Sequence, residues 1–132
     1  MMTRGARGPR LGLAALALLA GVLLAGPTAD AHAVLVRSSP PHRAVLAQAP
    51  ERVELWFNER LEPAYSTASV WSEAGAQVDA RDVAVTTDDP RRLSVSLTTR
   101  AAGLYTVKYR VLSVDGHVVD SRITFTVKGQ KP

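Results

Sequence analysis

The 132 residues contain no cysteine. A folded domain here is held by packing alone, without disulfides, and no thiol is available for a lipid anchor. Methionine is confined to Met1 and Met2, so no sulfur follows residue 2. Aromatic residues are few, with two Trp, three Tyr and two Phe, and the charges are scattered, which argues against a nucleic-acid face. Helical periodicity is missing from the whole chain after residue 31. A G-x-S-x-G elbow, an H-E-x-x-H helix and a glycine-rich phosphate loop are also absent. Composition leaves a Ser-His-Asp arrangement open, but no spacing proposes one, so no catalytic residue is expected.

There is one long apolar run. Leu11 to Gly26, "LGLAALALLAGVLLAG", follows Arg4, Arg7 and Arg10 and ends before Pro27, with "ADA" at Ala29–Ala31. A basic start, an apolar stretch and a small-x-small site make up a secretory leader. The competing reading is a membrane anchor, which needs roughly 20 apolar residues. The run is shorter than that and rich in alanine, so cleavage after Ala31 is expected. No Arg-Arg pair points to the twin-arginine route. The expected organisation is a leader over 1–31, one domain over 32–128 and a frayed tail over 129–132. The working protein is then exported, to the periplasm or another space outside the cytoplasm. Its residues 32–132 carry thirteen basic and eleven acidic side chains, a net of +2 against +4 for the whole chain.

What is present in that domain is alternation with period two, the mark of half-buried strands. "RVELWF" sets Val53, Leu55 and Phe57 on one face, and "RLSVSLT" does so with Leu93, Val95 and Leu97. "LYTVKYRVLS" aligns Tyr105, Val107, Tyr109 and Val111, and "RITFTVK" aligns Ile123, Phe125 and Val127. Weaker strands are expected at 33–37, 67–72 and within 77–85. Turn signals separate them, and Asp115-Gly116 joins the last two strands, about 103–113 and 118–128, as a hairpin. Several short strands in about 100 residues predict a β-sandwich or small barrel.

Three groups of residues could carry chemistry. Cleavage after Ala31 would leave His32 with a free α-amine beside its imidazole, two nitrogens able to hold one metal ion. The ordinary reading is that any residue can follow a cleavage site. In "SVDGHVVD", Asp115 and His117 flank a turn glycine that can turn a carboxylate and an imidazole towards one point. On that spacing alone, a simple hairpin turn is the better reading. Glu59, at the end of "LWFNERLEP", could be a further acidic ligand or an acceptor behind the ligands. It could equally be one of two solvated glutamates, with Glu62. His42 lies in a proline turn with no acidic neighbour and reads as a surface residue. Asp88 and Asp89 read as turn formers.

Taken together, these residues resemble the periplasmic copper-resistance proteins of the CopC type. The likeness runs from "HAVLVRSSPPHRAVLAQAPERVELWFNERL" to "GLYTVKYRVLSVDGHVVDSRITFTV", nearly all of residues 32–128. The resemblance implies an all-β, immunoglobulin-like Greek-key sandwich of about seven strands that binds Cu(II) outside the cytoplasm. It implies a single site in which His32 supplies amine and imidazole, completed by Asp115 and His117, with Glu59 behind them. Tyr109 stands where the family commonly has tryptophan, Ser121 replaces a frequent glycine, and "PHRA" replaces a small-residue turn. These departures touch packing and turns. Some members also carry a methionine-rich Cu(I) site mid-chain, but residues 71–89 here have neither methionine nor histidine. Thioethers select Cu(I), whereas imidazole, amine and carboxylate suit Cu(II), so one Cu(II) site and no Cu(I) site are expected.

The expected function is sequestration of copper, or its delivery to a membrane transporter of the CopD type, by a monomer without a membrane anchor. Two other readings stay open on the sequence. One is a terminal-histidine copper enzyme similar to polysaccharide monooxygenases, for which the chain is short. The other is a metal-free immunoglobulin-like interaction module, which requires His32 and His117 to lie far apart.

Overall fold

The structure is a computed structural model and describes Gly5 and residues 33–129. Apart from Gly5, the expected leader over 1–31 lies outside the described residues. Among the described residues, eight strands follow one another: β1 (Leu35–Ser39), β2 (Ala44–Leu46), β3 (Arg52–Phe57), β4 (Thr67–Ser72), β5 (Ala84–Val85), β6 (Arg92–Ser96), β7 (Gly103–Leu112) and β8 (Val118–Val127). A 3-10 turn, Pro63–Tyr65, precedes β4.

The strands form two four-stranded sheets, ordered β1-β3-β6-β5 and β2-β8-β7-β4. The chain switches sheets repeatedly and returns through the long β7–β8 hairpin, which gives an immunoglobulin-like Greek-key sandwich. Period two explains the layering, because every second side chain of a strand faces the same way. Val53, Leu55 and Phe57 from β3 and Leu93 and Val95 from β6 face Val70, Tyr105, Val107, Val111, Ile123, Phe125 and Val127, all buried. Full burial of side chains of this size contributes about 1.5–3 kcal/mol each. Phe57 of one sheet meets Tyr109 of the other edge-on at 5.5 Å, and within the second sheet Tyr105 stacks on its cross-strand partner Phe125 at 5.1 Å. Tyr109, which departs from the family pattern, is thus a core residue.

The structure adds one strand to the sequence expectation and narrows another. Ala44–Leu46 forms an eighth strand, paired in parallel with Phe125–Val127 of β8. Within 77–85 only Ala84–Val85 is a strand, preceded by single bridges at Gln77 and Asp79. Asp79 interrupts the regular ladder by turning inward. Its carboxylate accepts hydrogen bonds from the Val70 amide at 2.8 Å, Gln77 Nε2 at 3.0 Å and the Arg81 amide at 2.9 Å. A buried carboxylate is tolerated only when its oxygens are partnered in this way.

Candidate metal centre

The ends of β1, β3, β7 and β8 meet at one end of the sandwich, and residues 58–62 bind the other segments there. Asn58 grips the incoming chain twice: its Oδ1 accepts the Val34 amide at 2.6 Å, and its own amide donates to the Val34 carbonyl at 3.0 Å. Ala33 beside it is only 1% exposed. The carbonyl of Arg60 accepts the Val114 amide at 3.0 Å, and Leu61 bridges to Ser113. The amide of Glu62 donates to the Leu112 carbonyl at 2.8 Å. One short segment therefore holds both the start of the domain and the β7–β8 turn.

The turn itself spans residues 113–117 between the last paired residues, Leu112 and Val118. The Ser113 amide donates to the His117 carbonyl at 3.0 Å, and the Gly116 amide to the Ser113 carbonyl at 2.9 Å. Gly116 has φ +94°, the left-handed region that a residue without Cβ adopts most readily. This tight closure places Asp115 and His117 side by side, with His117 Nδ1 3.3 Å from Asp115 Oδ1. The His117 amide also donates to Asp115 Oδ1 at 3.3 Å, and the Ser113 hydroxyl donates to the same oxygen. The Ser113 hydroxyl holds the Asp115 carboxyl below its ordinary value, outweighing partial burial, which pushes it up; the amide and ring of His117 add to the lowering. The carboxylate is thus ready in the charged form that a cation needs.

Asp115 and His117 are therefore brought together as the sequence suggested. Glu59 lies half-buried between Asn58 and Arg60, at the same end of the sandwich. Among the described residues, no group of three His, Cys, Asp or Glu is close enough to hold a metal ion, so Glu59 does not join Asp115 and His117 as a third ligand. The remaining sequence candidate, His32, lies outside the described residues, one position before Ala33. His42 is exposed, and its Nδ1 accepts the Thr124 amide at 3.1 Å, so that ring helps dock the β2 turn on β8. Carboxylate and imidazole oriented together are donors that suit a borderline divalent ion such as copper.

Sequence reasoning did not single out Ser113 or Asn58. Ser113 is fully buried and directs the Asp115 carboxylate, while Asn58 fixes where the chain enters. The signals that could have found them were the S-x-D-G-H spacing and the polar residue that ends β3.

Comparison with known proteins shows the family and the fold. CopC from Methylosinus trichosporium OB3b has a crystal structure that superposes with a TM-score of 0.70, at 38% identity, covering 76% of this chain and 98% of that one. Copper resistance protein C of Pseudomonas syringae pv. tomato is 32% identical over 117 residues, 84% of this chain and 92% of that protein. Copper transport protein CutJ of Bacillus subtilis is 32% identical over 101 residues, 76% of this chain. The chain spans only 19% of CutJ's length. Among the described residues, no helix is long and apolar enough to cross a membrane. The CopC domain model matches residues 35–128, and the chain belongs to the CopC family, a family of copper-binding resistance proteins rather than enzymes.

Proposed function

We propose that this chain is an exported Cu(II) carrier with one site, formed only when residues 1–31 are removed and His32 becomes the first residue. His32 then supplies its α-amine and imidazole, and Asp115 and His117 complete the ligand set, with Glu59 as a hydrogen-bond acceptor behind it. The observation that carries this reading is the shared anchorage of the two halves. Val34, two residues after His32, and Val114, next to Asp115, are both hydrogen-bonded to residues 58–60. An extended residue spans at most about 3.6 Å, so a terminus two residues before Val34 has only a short distance to range.

Three nitrogens and one carboxylate favour Cu(II) over zinc in the usual affinity order. The absence of sulfur after residue 2 removes the thioether ligands that a Cu(I) site uses. The carrier role is sequestration outside the cytoplasm or delivery to a membrane copper transporter of the CopD type. Delivery draws support from CutJ, a copper transport protein in which a segment like this chain is a minor part of a longer polypeptide.

The test compares Cu(II) titrations of three proteins: residues 32–132 beginning with free His32, the same chain with one residue added before His32, and His117→Ala. The first is expected to bind one Cu(II) tightly, and the other two to bind far more weakly. Equal affinity in all three would refute the site.

A further inference from the structure

Neither Ser113 nor Asn58 is a proposed ligand, yet each makes the hydrogen bonds that fix one half of the site. We infer that Ser113 and Asn58 are the positioning residues of the copper centre, setting its affinity and geometry by orienting Asp115 within the turn and by holding the chain at Val34. The inference rests on the proposed copper site.

On one side, the Ser113 side chain is directed inward with 0% exposure. Its hydroxyl donates to Asp115 Oδ1 and lies 3.4 Å from the His117 carbonyl, which the Ser113 amide also reaches at 3.0 Å. With the His117 amide on Asp115 Oδ1 as well, that oxygen is occupied from two directions within the turn. Rotation of the carboxylate breaks these bonds, so the turn restrains its orientation. Alanine at 113 removes one of these restraints while leaving every proposed ligand in place.

On the other side, Asn58 forms a two-way clamp with Val34: its side-chain Oδ1 accepts the Val34 amide, and its backbone amide donates to the Val34 carbonyl. Asn58 is exposed, so burial does not explain an amide side chain at the end of β3. Its bonds fix the backbone two residues after His32, which limits the volume that the proposed terminal ligand samples. A ligand restrained before binding loses less conformational freedom on coordination.

The experiment uses residues 32–132 beginning with His32, and measures Cu(II) affinity and the electron paramagnetic resonance spectrum of the 1:1 complex for wild type, Ser113→Ala and Asn58→Ala. Melting of the metal-free proteins is recorded in parallel. Residues that orient ligands typically cost about 10–100-fold in metal affinity when removed, and a loss of that order is expected for each variant, with shifted copper hyperfine parameters. Asn58→Ala changes an exposed side chain and keeps the test available if Ser113→Ala does not fold. If wild type does not bind Cu(II), the proposed site fails. If wild type binds and both variants bind as tightly with the same spectrum, the positioning inference is overturned while the site stands. Weaker binding with an unaltered spectrum, tracking only lost fold stability, would also overturn it.

Discussion

Replacing Asp79 by alanine perturbs the sandwich away from the candidate site, and the size of its effect can be worked from the hydrogen bonds. Asp79 is 7% exposed and Val70, whose amide it accepts at 2.8 Å, is 0% exposed. Without the carboxylate, the Val70 amide is left buried with no acceptor, at a cost of about 1–3 kcal/mol. The Arg81 amide and Gln77 side chain lie nearer solvent and regain water, but Arg81 sits at φ +58°. That conformation is uncommon for a residue with Cβ, and Asp79 Oδ1 holds it by accepting the Arg81 amide at 2.9 Å. Losing this local bond adds about 0.5–1.5 kcal/mol. Removing a buried carboxylate also removes its desolvation cost, which places the net destabilisation at roughly 2–3 kcal/mol. For a domain of this size each kcal/mol lowers the melting temperature by about 4–8 °C, so a fall of roughly 10–20 °C is expected. Urea unfolding followed by far-UV circular dichroism should show a lower midpoint at an unchanged slope. Asp79→Asn, which keeps one acceptor oxygen, should lose less. An Asp79→Ala protein within about 0.5 kcal/mol of wild type, the ordinary range for surface substitutions, would refute this account of the buried carboxylate.

Three further outcomes follow from the structure. Lys108 and Arg122 are directly opposed on β7 and β8, and like charges so placed repel; Arg122→Glu should stabilise the metal-free domain by about 0.2–1 kcal/mol in low salt, read by urea titration, and unchanged or reduced stability would count against the repulsion. In metal-free protein the Asp115 carboxyl should titrate below its ordinary value of 3.8, because the Ser113 hydroxyl and the His117 amide stabilise the charged form. A lowered native value means that its contribution to the turn is present above the unfolded value and is lost as pH falls through the native one. Carbon-detected NMR should show that titration moving up towards the ordinary value in Ser113→Ala, and an unmoved titration would contradict the assigned cause. His42→Ala should leave Cu(II) affinity unchanged, because the His42 ring accepts the Thr124 amide on β8, beside the β2 turn; a large loss of affinity in copper titration would put His42 in the site.

The strands were legible where alternation is long, because period two and burial on one face carry the same information. Val53, Leu55 and Phe57, or Tyr105, Val107, Tyr109 and Val111, lie on the core face as their spacing requires. Ala44–Leu46 was not legible, since three residues between a proline turn and "AQAP" have too few alternations to register. Their pairing with Phe125–Val127 is set by tertiary contact across about 80 residues. Within 77–85 a strand was legible but its short extent was not, because Asp79 takes one of its three donors, the Val70 amide, from β4, and that partner exists only once the sheet is folded. The closeness of Asp115 and His117 was legible because the turn glycine between them makes the geometry local. Ser113 and Asn58 were not, since a serine and an asparagine are ordinary at strand ends and only their distant partners give them a role.

The central claim is that the mature terminus and the β7–β8 turn together hold one Cu(II). The most direct test is a crystal structure of residues 32–132, beginning with free His32 and loaded with one equivalent of Cu(II). The account predicts a single copper ion bound by the α-amine and imidazole of His32, the Asp115 carboxylate and the His117 imidazole. Copper bound elsewhere, or bound at the turn with the His32 amine uncoordinated, would contradict it.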